Sequence, residues 1–153
     1  MNWKAKGYIT LIVAGGIMIL AELPSYWQCE DSLRFFVFTV LALLTSAWKV
    51  ALPGVKGTMS VNFLFVLVGT AQLSAGETLA MSVLAVIAQY FYRIKAKGKD
   101  RLVQAAFNVA SVAIAVRVAT FTFGVVTPTF PVLEFPFRLA ITAIAYFLCN
   151  TIP

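Results

Sequence analysis

MSVNFLFVLVGTAQLSAGETLAMSVLAVIAQYFY, residues 59–92, is apolar almost throughout and breaks once, at Ser74, Ala75 and Gly76. As one helix it would run about 50 Å at about 1.5 Å per residue, far beyond a hydrocarbon core of about 30 Å. As two, 59–73 and 78–92, it makes a hairpin of short membrane-crossing segments with a tight turn between them. Which of the two is right decides the topology of everything around it.

Charge decides it. Working outward, four further apolar segments stand at 8–23, 33–50, 102–126 and 137–152. Lys4 and Lys6 precede the first, Lys49 and Lys56 surround the junction of the second and third, and Arg93, Lys95, Lys97, Lys99 and Arg101 follow the fourth. Glu22, Glu30 and Asp31, then Glu77, then Glu134 fill the alternate gaps. Cytoplasmic loops carry the Lys and Arg of a membrane protein, so the basic gaps lie inside and the acidic ones outside. A merged 59–92 helix would put the densest basic loop opposite Lys4 and Lys6. The expected fold is therefore all-α: a polytopic bundle of six transmembrane helices with both termini cytoplasmic.

Composition agrees with that class. The chain has 153 residues, 61% of them hydrophobic and 12% charged, with a mean hydropathy of +0.89. Six spans and their loops use nearly all of it, leaving no soluble domain of the usual size of about 50 residues or more. A single integral-membrane domain, 1–153, is expected. The first segment is long and lacks a small-residue cleavage site, so it reads as a span rather than a signal peptide.

Absences restrict the chemistry. With no histidine, imidazole bases, nucleophile relays and imidazole metal sites are excluded. Cys29 falls in an outer loop and Cys149 near the inner end of the sixth span, too far apart for a disulfide or a shared metal. No Walker loop, dinucleotide fingerprint or carboxylate pair stands out. An enzyme, a cofactor and a metal are not expected. The basic loop at 93–101 suits anionic lipid headgroups and topology better than nucleic acid, which is not an expected partner.

Polar residues inside spans carry the remaining signal, because hydrocarbon tolerates them only with partners. Arg117 stands 15 residues beyond Leu102, hence about 22 Å along the fifth span and in its outer half. A structural ion pair with Glu22 or Glu77, or snorkelling to the headgroups, is the first expectation; an anion or ligand contact is the second. At the inner face, Asn62, Gln89, Asn108 and Asn150 fall at similar depth, as interhelical glue before a polar site. Ser111, Ala115 and Ala119 repeat every four residues, and Gly15 and Gly16 sit in the first span; both patterns permit close helix packing.

Two loops are distinctive. LPGVKGTMSVNF, 52–63, puts Pro53, Gly54 and Gly57 in a turn, with Thr58 or Ser60 as the N-cap of the third span; the Walker spacing of a phosphate cradle is absent. The outer stretch 127–137 holds Pro128, Pro131 and Pro136 among aromatic and aliphatic residues, and reads as an interfacial loop rather than a ligand lid.

WKVALPGVKGTMSVNFLFVLVGTAQLSAGETL at 48–79, a basic loop, and VQAAFNVASVAIAV at 103–116 together resemble the N-terminal integral-membrane (MASE-like) sensor domains of bacterial diguanylate cyclase and HD-type phosphodiesterase signalling proteins. The similarity covers about the second to the sixth span. It implies a multi-pass domain of the bacterial inner membrane that passes a stimulus to a cytoplasmic module, in cyclic di-nucleotide signalling. Two departures stand out: no output module is present, and related domains continue into further spans. The end at Asn150-Thr151-Ile152-Pro153, without a basic anchor, fits a fragment or a stand-alone relative alike.

The expected function is thus a non-enzymatic membrane sensor or scaffold. Its partners would be membrane lipids, a cytoplasmic signalling module at the C-terminus and, compatibly, a second copy. The alternative is a small transporter or the substrate-binding membrane subunit of an uptake system, with two inverted sets of three spans. That alternative is weakened because Asn62 and Asn108 do not occupy equivalent spans. The first span also lacks the Ala-xxx-Ala face with which vitamin-uptake subunits of this size dock their energising partner.

Overall fold

In the computed structural model, which describes residues 3–28, 31–46, 49–51, 58–60, 62–92, 100–125 and 134–151, six helices follow the six apolar segments. They are α1 Trp3–Ala21, α2 Ser32–Thr45, α3 Asn62–Gln72, α4 Ala75–Tyr92, α5 Asp100–Val125 and α6 Glu134–Thr151. A 3-10 turn, Leu23–Tyr26, follows α1. Between α2 and α3 lies a small antiparallel hairpin, β1 Lys49–Ala51 with β2 Thr58–Ser60, in register Lys49 to Ser60.

Local chemistry sets the helix ends. Asp31 caps α2, its Oδ1 accepting from the amides of Leu33 (3.2 Å) and Arg34 (3.1 Å), two donors that a helix start leaves open. At the other end Thr45 Oγ1 donates to Leu41 O (2.8 Å) and Ser46 Oγ to Leu43 O (2.7 Å). Both hydroxyls lie where α2 closes, at Thr45 with Ser46 as its C-cap. The second segment is thus shorter than its apolar run suggested, since Lys49–Ala51 is strand. Thr58 and Ser60 belong to β2 and do not cap α3, which begins at Asn62. The sixth helix begins at Glu134 rather than at 137, with Pro136 in its first turn, where a missing N–H costs no helix hydrogen bond. Residues 52–57, 93–99 and 126–133, and Cys29, to which other sequence readings refer, lie outside the described residues.

Between α3 and α4 the chain reverses over two residues. Ser74 and Glu77 form a reciprocal capping box: Ser74 N–H donates to Glu77 Oε2 (2.9 Å) and Glu77 N–H to Ser74 Oγ (3.2 Å). Gly69 of α3 faces α4 so closely that a Cβ there would fall 2.9 Å from Thr78 Cγ2. The hairpin reading of 59–92 therefore holds.

The helices alternate in direction. Tyr8 stacks near Phe107, Gly15 faces Ile114 and Gly16 faces Ala110, so α1 and α5 run side by side in parallel. Tyr146 near the end of α6 meets Phe63 near the start of α3, with ring centroids 5.3 Å apart. Phe123 near the end of α5 meets Phe135 at the start of α6. α5 packs against α1, α3, α4 and α6, while α2 packs on α4 and α3.

Small residues fill the interior and large ones face out. Ala110, Ala113, Ala115 and Ala119 of α5 are buried, as is Ser111, which confirms the small-residue face as packing surface. A Cβ at Gly16 would fall 2.5 Å from Ala110 Cα, so the two backbones touch. Leu11, Phe36, Leu64, Leu84, Phe121 and Ile144, one from each helix, are exposed. Leu102–Val125 is the one helix among the described residues long and apolar enough to cross a membrane. α1, α4 and α6 have 19, 18 and 18 residues, about 27–28 Å each, whereas α2 and α3, with 14 and 11, reach about 21 and 17 Å.

Candidate functional site

Two of the residues singled out by sequence, Glu22 and Arg117, meet around a third that was not, Tyr26, whose backbone rests on Gly76, next in the chain to Glu77. The 3-10 turn after α1 carries Tyr26 across the start of α4. Gly76 makes room for it: a Cβ there would lie 2.6 Å from Tyr26 O and 2.9 Å from Trp27 Cα. Backbone therefore rests on backbone, and only glycine fits. Trp27 then packs edge-on against Phe35, which fixes the entry into α2.

Arg117 lies eight residues before the end of α5, about 12 Å below it. Its guanidinium carbon sits 4.0 Å from the centre of the Tyr26 ring, well within the reach of about 6 Å for a cation over an aromatic face. Tyr26 Oη in turn donates to Glu22 Oε2 (3.2 Å), four residues back. The chain of contacts is cation, ring, hydroxyl, carboxylate.

The expected direct ion pair is not formed. Among the described residues the ion pairs are Arg34 with Asp31 (3.7 Å) and Arg138 with Glu134 (2.7 Å). Glu22 is engaged by the phenol, and Glu77 by its own helix start. Glu77 is 3% exposed, and its second oxygen, Oε1, is buried with no hydrogen-bond partner. It stands in the first turn of α4. Arg117 itself is half-buried, with one face on Tyr26 and five N–H donors around its rim. Such a rim suits a carboxylate, phosphate or carbonyl oxygen that approaches in the guanidinium plane.

The four amides fare differently. Asn62, the first residue of α3, is buried and Gln89 in the last turn of α4 is half-buried, but Asn108 and Asn150 are exposed. Helical phase turns two of the four outward. They do not make one interhelical layer.

Arg138 makes a second cluster near the start of α6. Its Nη2 pairs with Glu134, its guanidinium lies 6.0 Å from the Phe123 ring centre, and its Nε is buried without a partner. Sequence reading passed over Arg138 and Tyr26, and took Ser74 as part of the turn without its role as a cap. Each had a local signal: Glu134 four residues before Arg138, the S-x-x-E pattern at 74–77, and Glu22 four residues before Tyr26. Among the described residues no three His, Cys, Asp or Glu side chains gather into a metal-holding group.

No family model matches the chain, and no curated protein or solved structure is significantly similar to it.

Proposed function

We propose that the chain is a non-enzymatic sensor domain of the bacterial inner membrane, with six spans and both termini cytoplasmic, that relays a stimulus to a cytoplasmic signalling module. Arg117 carries the reading. A cation in the outer half of the central helix, held by an aromatic face rather than by a carboxylate, is costly as mere structure and well placed to answer an anionic or polar stimulus. Because α5 packs against four of the other five helices, a shift at Arg117 reaches nearly the whole bundle.

The membrane part of the reading is supported by the inverted packing. Exposed Leu, Ile and Phe on every helix around an interior of Ala, Ser and Thr match helices that pack by close approach in lipid. The short α2 and α3 would reach the inner interface through the paired strands β1 and β2, whose ladder satisfies part of the backbone there. A transporter built from two inverted halves finds less support, since helices of 19, 14 and 11 residues face helices of 18, 26 and 18.

The test joins a diguanylate cyclase module to the C-terminus and reads cyclic di-GMP in cells together with the amount of membrane-inserted protein. Arg117→Ala should change cyclase output by about fivefold or more, the lower end of ordinary coupling between sites, at unchanged membrane level. Output that stays level in correctly inserted protein refutes the sensor role. Cysteine labelling from either side of the membrane checks the topology separately.

A further inference from the structure

We propose that one flank of the α1–α5 pair binds an acyl chain of an anionic phospholipid from the inner leaflet, with the lipid phosphate at Lys6. The proposal rests on the membrane reading above, which puts the N-terminal ends of α1 and α5 at the inner face.

A shallow groove of about 360 Å³ runs along this flank, lined by Ile9, Thr10, Val13 and Ile17 of α1 and by Val103 and Ala106 of α5. From Ile9 to Ile17 it extends about 12 Å along the helix axis, which nearly matches one leaflet's share, about 15 Å, of a hydrocarbon core of about 30 Å. Its one polar lining side chain is already used: Thr10 Oγ1 donates to Lys6 O (2.9 Å). With no unmet hydrogen bond, the groove suits hydrocarbon and offers nothing to a polar solute.

Charge selects the headgroup. Lys6 precedes Ile9, Thr10, Val13 and Ile17 by three, four, seven and eleven residues, so it stands on the same face of α1, at the inner mouth of the groove. It is exposed. A phosphate that carries net negative charge compensates this cation, and a zwitterionic headgroup does so less well. A second copy of the chain is a poorer occupant, because each chain carries a net charge of +6 and would bring a second Lys6 to the same flank.

The full chain, reconstituted in bilayers of equal phosphatidylglycerol and phosphatidylethanolamine and released for native mass spectrometry, should retain phosphatidylglycerol preferentially. Lys6→Gln should reduce that preference about fivefold, the effect of one cation near an anionic surface. Ala106→Phe, at an exposed position, should fill the groove and abolish retention of both lipids, with circular dichroism showing intact helices. Equal retention of the two lipids, unmoved by Lys6→Gln, overturns the proposal. So does a dimer that Ala106→Phe dissociates, which assigns the flank to a second copy. Recovery of the chain in the aqueous fraction without detergent overturns it together with the membrane reading, whereas firm membrane insertion without lipid preference leaves that reading standing.

Discussion

The two sides of the bundle are held by different means. Around α5 the backbones come close: Gly16 meets Ala110 directly, and Ala113, Ala115 and Ala119 are wholly buried. Around α2 the contact is made by side chains, with Met81 and Ala85 of α4 packed against Ala42 and ringed by Phe35, Phe38, Phe65 and Leu73. The first side has no room to gain an atom, and the second depends on atoms that it can lose. Sensitivity to substitution should therefore have opposite sign on the two sides.

The largest effect is expected where backbones touch. Gly16→Leu forces α1 away from α5 and should cost about 3 kcal/mol, the upper part of the usual range for overpacking; SDS titration of the protein in dodecylmaltoside micelles, followed by loss of helicity, measures it. A cost below that of the next variant would break the comparison. Met81→Ala leaves a cavity between α4 and α2 and should cost about 2 kcal/mol, the low end for a buried methionine, by the same titration. Combining it with Gly16→Leu should give additive losses if the two sides are independent. Smallest is Ser74→Ala, which removes one half of the capping box and should cost about 1 kcal/mol. Its amide exchange should speed up in the first turn of α4 and nowhere else, and a spread into α2 or α5 would show that the turn is not a local device.

Much of this architecture was legible in the chain. Apolar run length and alternating charge found six helices and the hairpin at Ser74 to Gly76, because both signals act over whole segments. The end of α2 was not legible. Residues 41–51 are mostly apolar, a pattern that reads equally as helix or strand when short, and the last three pair with Thr58–Ser60, a partner that no local pattern announces. The same limit applies to the site. The depth of Arg117 follows from counting, but its stacking on Tyr26 joins residues 91 positions apart, and no local pattern encodes such a contact. Asn108 and Asn150 show a related limit: counting gave their positions along the helices, while which face packs inward depended on neighbours far along the chain.

The parallel contact of α1 with α5 has a consequence for biosynthesis. Gly16 and Ala110 are 94 residues apart, and a ribosome adding about 5–20 residues per second needs about 5 to 20 s to span that interval. For all of that time the first helix made is without its principal partner, and its glycine face lies open to whatever else surrounds it. α2, α3 and α4 emerge and assemble first. α5 then arrives against helices already made and brings Arg117 under Tyr26, and α6, the helix made last, completes the bundle against α5 and α3.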